Sequence, residues 1–147
     1  MSEVRHAEAT WSGDLTSGSG MLLYVSSGAY SRLPVTWSSR TEAHRGRTSP
    51  EELLAAAHAT CFSMALSNEL GKNGTPASRL DVKVSVTADK TEAGWTVLSS
   101  AIAVSGRVDG IDAATFAKFA ETAKDGCPIS RALQGNVALS VEATLQG

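Results

Sequence analysis

Cysteine is scarce in this sequence: its 147 residues include only two, Cys61 and Cys127. The N-terminal segment MSEVRHAEAT is polar and unlike a secretory signal, and no apolar run approaches the roughly 18 residues that a membrane-spanning helix needs. We therefore expect a cytoplasmic protein without a membrane partner. In that reducing compartment, a cysteine pair serves catalysis, redox sensing or metal binding more often than a structural bridge.

An excess of positive charge is also missing. The formal net charge is -2 and the isoelectric point is near 5.9, which argues against a nucleic-acid partner, because dedicated nucleic-acid binders carry a basic face. The composition, with 42% hydrophobic and 19% charged residues, is that of an ordinary globular protein, and there is no internal repeat. The length suits a single domain over residues 1–147.

What is present is a series of short alternating segments. Strands are predicted in the first 40 residues at VRHAEATW, GMLLYVSS and LPVTWSS, where turn sequences such as SGSG join them. Two longer runs, LDVKVSVTADK and WTVLSSAIAVSGRV, follow in the middle of the chain, and NVALSVEATL closes it. Apolar residues occupy every second position in these runs, which is typical of half-buried strands.

The clearest helix is predicted after residue 49. Ser49 is a good N-cap, Pro50 suits the first helical position, and Glu52 is placed for a capping box. Gly71 or Gly74 would end this helix. Its stretch LLAAAHATCFSMAL is apolar or small on nearly every side, which predicts a buried helix.

Two further helices are predicted in the second half of the chain. The first, AATFAKFAETAKDG, is capped by Asp112, and the second, CPISRALQG, has Pro128 at its first position and Gly135 at its end. The order of meandering strands and interspersed helices predicts an α+β fold.

The two cysteines stand in different predicted settings. Cys127 precedes Pro128 at a helix start, where unpaired backbone N–H groups favour a thiolate, so it is the readier nucleophile by this criterion. Cys61 lies in the middle of an apolar helix, where burial raises the pKa of a thiol unless a cation reaches it. The alternative is that both are small core residues, as free cysteines often are.

Charged residues cluster just before the central helix. Arg40, Arg45 and Arg47 share this segment with several acids, and an arginine held by a carboxylate is a fixed cation able to lower the pKa of a thiol. Glu51 and Cys61 are ten residues apart in one helix, about 15 Å along its axis. If this cluster activates Cys61, a second copy of the protein most simply supplies it, which favours a homodimer with sites at its interface.

His58 lies three residues before Cys61, on the same side of the helix. A Cys–His pair for thiol hydrolysis lacks a residue to orient the histidine. A metal site that adds Cys127 and His44 lacks the usual spacing of zinc ligands. A core or hydrogen-bonded histidine is therefore the preferred interpretation.

Together, TSPEELLAAAHATCFSMALS and the later DGCPIS resemble the osmotically inducible protein C and organic hydroperoxide resistance (OsmC/Ohr) family. The likeness extends over nearly the whole chain, from WSGDLTSGSG to the closing strand. It implies an intertwined α+β homodimer with antiparallel sheets, a buried central helix and two active sites at the subunit interface. It also implies a thiol-dependent peroxidase that acts on organic hydroperoxides and, more weakly, on hydrogen peroxide.

The resemblance assigns a role to each candidate residue. Cys61 matches the peroxidatic cysteine, which becomes a sulfenic acid, and Cys127 matches the resolving cysteine, which closes a disulfide with it. The family's activating Glu matches Glu51 of the PEE motif. The early turn SGSG lacks the Arg of the Ohr branch, whereas Arg40 matches the Arg of the OsmC branch, which is therefore favoured. Arg45 and Arg47 are the fallback candidates, and this assignment overrides the ranking of the thiols by helix position.

No metal, haem or flavin cofactor is implied, so electrons must come from an external dithiol, of the dihydrolipoyl type or a small one. Two other functions stay open. A non-enzymatic stress protein would bind an apolar ligand at the dimer interface and would tolerate the loss of Cys61. A redox sensor would form the disulfide between Cys61 and Cys127 but show little turnover with a thiol reductant.

Overall fold

Three antiparallel strands open the chain. The computed structural model describes all 147 residues and divides into two compact units, residues 1–53 and 54–147. In the first unit β1 (Ala7–Ser12), β2 (Ser19–Val25) and β3 (Ser31–Val35) form one sheet in sequence order. These strands lie where the alternating segments predicted them. The single domain over residues 1–147 stays a prediction.

The third strand is shorter than predicted. The segment LPVTWSS was expected to be a strand throughout, but β3 ends at Val35 and a short helix, α1, covers Trp37–Thr41. A capping box causes the change: Ser39 N donates to Thr36 Oγ1 over 3.0 Å, and Thr36 N donates to Ser39 Oγ over 2.9 Å. The strand prediction was therefore wrong beyond Val35, because local side-chain hydrogen bonds outweighed the β-propensity of Val, Thr and Trp.

The central helix, α2 (Pro50–Lys72), begins as predicted. Ser49 Oγ accepts a hydrogen bond of 3.1 Å from Glu52 N, which confirms the N-cap. The carboxylate of Glu52 accepts a hydrogen bond from Thr48 Oγ1 at 3.0 Å. The start of α2 is thus held by two side chains within its own sequence segment.

The end of α2 is a Schellman motif. Gly74 has a φ of 75°, in the left-handed region that favours glycine. Thr75 N donates to Leu70 O and Gly74 N donates to Gly71 O, both over 3.0 Å, which is the paired pattern of this cap. Of the two glycines predicted to end the helix, Gly74 therefore stops it.

One side of α2 is buried and the other is open. His58, Phe62, Leu66 and Leu70, spaced by four residues, are all 0% exposed. On the opposite side Met64 is 67% exposed, and the small residues Ala56, Ala57 and Thr60 are exposed as well. In the single chain the predicted burial of this helix therefore covers one of its sides.

The second unit contains a mixed sheet. β4 (Arg79–Thr91) pairs antiparallel with β5 (Gly94–Arg107), and β6 (Ala138–Leu145) pairs parallel with β5 at the other edge. The parallel pair departs from the expected antiparallel sheet because a crossover separates β5 from β6. That crossover consists of α3 (Ala113–Gly126) and α4 (Pro128–Leu133).

Both crossover helices have the predicted bounds. Asp112 Oδ1 accepts a hydrogen bond of 2.7 Å from Thr115 N and so caps α3, and Pro128 opens α4. The core of this unit joins the buried side of α2 to β5 and to Phe116 and Ala120 of α3. Strands and helices in this arrangement confirm the α+β class. None of the helices is both long and apolar enough to cross a membrane.

Candidate active site

The two cysteines meet in the second unit. Cys61 lies in the middle of α2 and is partly exposed, whereas Cys127 is 0% exposed and joins α3 to α4. Both thiols are free, and they lie within hydrogen-bonding reach of each other. Residues that are distant in the sequence thus share one site.

The surroundings of the two thiols shift their pKa values in opposite directions. Burial raises the pKa of Cys61, and the hydrogen bond with Cys127 raises it further. Burial also disfavours the Cys127 thiolate, but hydrogen bonds from Cys61, Ser130 and Ile129 outweigh it and lower the pKa of Cys127 below its ordinary 9.0. In the single chain Cys127 is therefore the thiol that ionises at the lower pH. This agrees with the prediction from its position at the start of a helix.

The lowered pKa of Cys127 comes from identifiable groups. Besides Cys61, these are the backbone N–H groups of Ile129 and Ser130 and the hydroxyl of Ser130, all of which favour the thiolate. Both residues belong to the first turn of α4, a helix of only six residues.

A cation also faces Cys61 from within the same chain. The charge of Arg131 lowers the pKa of Cys61, although less than burial raises it. Arg131 belongs to α4, four residues after Cys127, so the helix that carries the second thiol also carries this cation. Sequence reasoning did not find Arg131, and the spacing within CPISR was the available signal.

His58 is a hydrogen-bonded core residue, as preferred above. Its Nδ1 lies 2.6 Å from Ser100 Oγ on β5, and its Nε2 lies 2.8 Å from Ser130 Oγ on α4. Burial lowers the pKa of His58. Both ring nitrogens are thus taken by serines, and no group of three or more His, Cys, Asp or Glu side chains is arranged to hold a metal ion.

The predicted acid–base cluster is assembled in the first unit. Arg40 Nε donates to Glu51 Oε1 over 2.8 Å, with 30% of the arginine and 11% of the glutamate side chain exposed. The guanidinium also lies over the ring of Trp37, with its Cζ 5.7 Å from the centroid. Arg45 and Arg47 are exposed in the loop before α2. Of the three candidate arginines, Arg40 is the one that the fold joins to Glu51.

Each unit has a hollow beside these residues. In the first unit a hollow of about 330 Å³ adjoins Arg40, and its lining is mainly apolar: Trp11, Leu15, Val35, Trp37 and Pro50. In the second unit a hollow of about 410 Å³ adjoins Cys61 and is lined by Met64, Ala65, Ala123 and Pro128, with Asn68 and Glu69 at its polar side. Of the two thiols, Cys61 is therefore the one that lines a hollow.

Comparison with known proteins places this site in a family. Residues 43–142 match the family model described as OsmC-like protein. The chain belongs to the OsmC-like family. It is 38% identical over 138 residues to Peroxiredoxin OsmC of Escherichia coli, which covers 94% of this chain and 95% of that protein. Glu51 and both cysteines lie within the span of the family model, and Arg40 lies just before it.

Two other members of the wider OsmC/Ohr group extend the likeness. Organic hydroperoxide resistance protein-like 2 of Staphylococcus epidermidis is 32% identical over 101 residues, which covers 67% of this chain and 69% of that protein. The crystal structure of the organic hydroperoxide resistance protein OhrB of Bacillus subtilis superposes with a TM-score of 0.72 at 23% identity, covering 95% of this chain and 98% of that one. The OsmC-like fold is therefore confirmed, and family membership makes the chain a cysteine-based, thiol-dependent peroxidase.

Proposed function

We propose that this OsmC-like peroxidase reduces organic hydroperoxides, and more weakly hydrogen peroxide, with Cys61 as the peroxidatic and Cys127 as the resolving thiol. The observation that carries the proposal is that the two free thiols lie close together. Cys61 lines a largely apolar hollow, and Cys127 is fully buried. The names of the two curated relatives, a peroxiredoxin and an organic hydroperoxide resistance protein, support the same chemistry.

The reaction has two steps on the protein. The Cys61 thiolate attacks the hydroxyl oxygen of the hydroperoxide, so that an S–O bond forms, the O–O bond breaks, and the alkoxide takes up a proton to leave as an alcohol. Cys127 then attacks the sulfur of the Cys61 sulfenic acid: an S–S bond forms, the S–O bond breaks, and the hydroxide leaves as water with the proton of the Cys127 thiol. An external dithiol reduces the disulfide and is itself oxidised to a disulfide.

Access decides which thiol reacts first. The lower pKa favours Cys127, but a fully buried thiol does not meet a hydroperoxide. Cys61 adjoins the hollow, and its own thiolate needs more positive charge than Arg131 supplies, because its pKa is still raised. A second cation is therefore required, and the Arg40–Glu51 pair is the candidate.

We assign that second cation to the partner subunit of a homodimer. Glu51 precedes Cys61 by ten residues in α2, about 15 Å along the helix axis, so one chain does not bring both to one substrate. The open side of α2, with Met64 67% exposed, supplies an apolar surface suited to a partner. In this arrangement Arg40 and Glu51 of one subunit activate Cys61 of the other.

The activity is tested by thiol-dependent consumption of cumene hydroperoxide and hydrogen peroxide with dithiothreitol as the reductant. We expect turnover by the wild type, none by Cys61→Ser, and a trapped sulfenic acid in Cys127→Ser. Turnover that survives in Cys61→Ser but is lost in Cys127→Ser would reverse the two roles. Disulfide formation by the wild type without turnover would indicate a redox sensor. No reaction at all would indicate a non-enzymatic protein that binds an apolar ligand.

A further inference from the structure

A buried hydrogen-bonded chain leads from the core to the resolving thiol. Ser100 on β5 and His58 on α2 are 0% exposed, and Ser130 on α4 is 1% exposed. The ring of His58 bridges the two serines at 2.6 Å and 2.8 Å. Ser130 follows Cys127 by three residues at the start of α4, and its hydroxyl contributes to the lowered pKa of that thiol. The two-step reaction proposed above gives no role to Ser100, His58 or Ser130.

The tautomer of the neutral His58 ring sets the direction of each bond, and two arrangements fit the distances. Ser100 has one hydroxyl proton, and its buried side-chain oxygen is hydrogen-bonded to His58 Nδ1. In the first arrangement Ser100 donates to Nδ1 and the neutral ring carries its own proton on Nε2. Nε2 then donates to Ser130 Oγ, which leaves the proton of Ser130 free for the sulfur of Cys127. The second arrangement would use the Ser130 proton at Nε2 and leave the Cys127 thiolate without that donor, so the lowered pKa of Cys127 favours the first.

We propose that His58 is a positioning residue for the resolving step, which turns the hydroxyl proton of Ser130 toward Cys127 Sγ so that Cys127 attacks as a thiolate. The inference rests on the proposed function, because it takes Cys127 as the resolving thiol. Ser100 acts indirectly, because its hydrogen bond to Nδ1 of His58 selects the tautomer of that ring.

The step leaves the hydrogen-bonded chain unchanged. Cys127 loses its proton, its sulfur forms the S–S bond with Cys61, and the S–O bond of the sulfenic acid breaks. The departing hydroxide takes up the proton that Cys127 released and leaves as water. Ser130 and His58 keep their protons throughout, so the chain orients a donor and transfers no proton.

The charged groups nearby do not substitute for His58. Arg131 on α4 faces Cys61, and its charge acts on the other thiol. Lys124 and Asp125 of α3 line a hollow together with Ser130, and Lys124 pairs with Glu121 at 2.9 Å and with Asp125 at 3.7 Å. Burial keeps the pKa of His58 below its ordinary value of 6.5, so the ring is neutral at neutral pH. The pH dependence of disulfide closure therefore reports the ionisation of Cys127.

The first test measures the pKa of Cys127 directly. In the Cys61→Ser background Cys127 is the only thiol, and its ultraviolet thiolate absorbance is followed against pH. Ser130→Ala and His58→Leu should raise the pKa of Cys127 by about one or more, since each removes or redirects a hydrogen bond to a charged group. Ser100→Ala should raise it less, and His58→Gln, whose amide both donates and accepts, should stay near the starting value.

Ser99→Ala is the matched control, because Ser99 is the neighbour of Ser100 on β5 and points to the other face of the sheet. Circular dichroism checks the fold of every variant. If His58→Leu does not fold, Ser130→Ala and Ser100→Ala carry the test. An unchanged pKa of Cys127 in both serine variants would overturn the proposal.

The second test separates the resolving step from the peroxidatic step. With both cysteines present and one equivalent of cumene hydroperoxide, Ser130→Ala should form the sulfenic acid at the wild-type rate and close the disulfide about tenfold more slowly. Raising the pH above the new pKa of Cys127 should restore the rate of closure, which a merely structural defect would not do. A wild type that forms no sulfenic acid overturns the proposed function, whereas an unchanged closure rate in Ser130→Ala overturns only the role of the chain.

Discussion

Nε of Arg40 donates to Oε1 of Glu51 over 2.8 Å, while the guanidinium lies over the ring of Trp37. These contacts hold a cation in one orientation at the edge of an apolar hollow. The arginine side chain is 30% exposed but Glu51 is buried, so removing Arg40 would deprive a buried carboxylate of this hydrogen bond, at a cost of about 1–3 kcal/mol. The pair is therefore expected to contribute to stability as well as to catalysis.

Replacing Arg40 should lower both activity and stability. An opposite charge near a thiol lowers its pKa by about one or more, so Arg40→Ala should reduce kcat/KM for cumene hydroperoxide roughly tenfold or more at neutral pH. The free energy of unfolding in urea should fall by about 1–3 kcal/mol, because Glu51 is buried. Arg5→Ala, which removes the exposed pair with Glu3, is the matched control for both measurements. A loss of activity in Arg47→Ala or Arg45→Ala, with Arg40→Ala fully active, would transfer the role to the loop before α2.

Mixing two inactive variants tests whether the site is shared between subunits. Arg40→Ala and Cys61→Ser chains, refolded together in equal amounts, form heterodimers in which one subunit retains Arg40 and the other retains Cys61. If each site takes Arg40 from one subunit and Cys61 from the other, activity should return to about a quarter of the wild-type value, since half of the dimers then have one intact site of two. Refolding each variant alone gives the baseline. Recovery that stays at this baseline would place Arg40 and Cys61 of the same chain in one site.

The buried ring of His58 should make the fold sensitive to acid. Burial lowers the pKa of His58 from its ordinary 6.5, so below pH 6.5 the unfolded chain binds a proton that the folded chain does not. The free energy of unfolding is therefore largest above pH 6.5 and falls as the pH drops toward the lowered pKa, by up to about 1.4 kcal/mol per pH unit. His58→Gln has no such proton to bind, and its stability should depend less on pH in this range.

Urea unfolding at a series of pH values measures this difference. His44→Gln, which replaces an exposed histidine, is the matched control and should follow the wild type. Parallel curves for His58→Gln and the wild type would show that the buried ring does not contribute to acid lability.

Two glycine substitutions should change stability in opposite directions. A Cβ added at Gly106 on β5 would lie 2.5 Å from Cζ of Phe116, so Gly106→Ala forces this buried ring to move and should cost about 1–3 kcal/mol in the free energy of unfolding. At Gly71 in α2 no atom lies within 4 Å of such a Cβ, so Gly71→Ala should stabilise the fold by about 0.5–1 kcal/mol. Thermal unfolding of both variants gives the comparison. A stable Gly106→Ala would mean that Phe116 has room to shift.

Features that depend on neighbouring residues were determined by the sequence itself. Ser49, Pro50 and Gly74 mark the ends of α2, and Asp112 marks the start of α3, because caps and left-handed turns act within a few residues. The two strands of the long hairpin follow the same rule through their alternating apolar residues. The one local error, the strand expected beyond Val35, also had a local cause, since Thr36 and Ser39 form a capping box.

The site, in contrast, depends on tertiary structure. The sequence marked Cys61, Cys127, Arg40 and Glu51 through family resemblance, but no local rule indicated that the two thiols meet or that Arg40, rather than Arg45 or Arg47, pairs with Glu51. Ser100 and Ser130 are unremarkable in the sequence and become partners of His58 only when β5 and α4 pack against α2. The physical reason is range: a cap or a turn is decided by residues close along the chain, whereas the pKa of a thiol is decided by every donor and charge that folding brings to it.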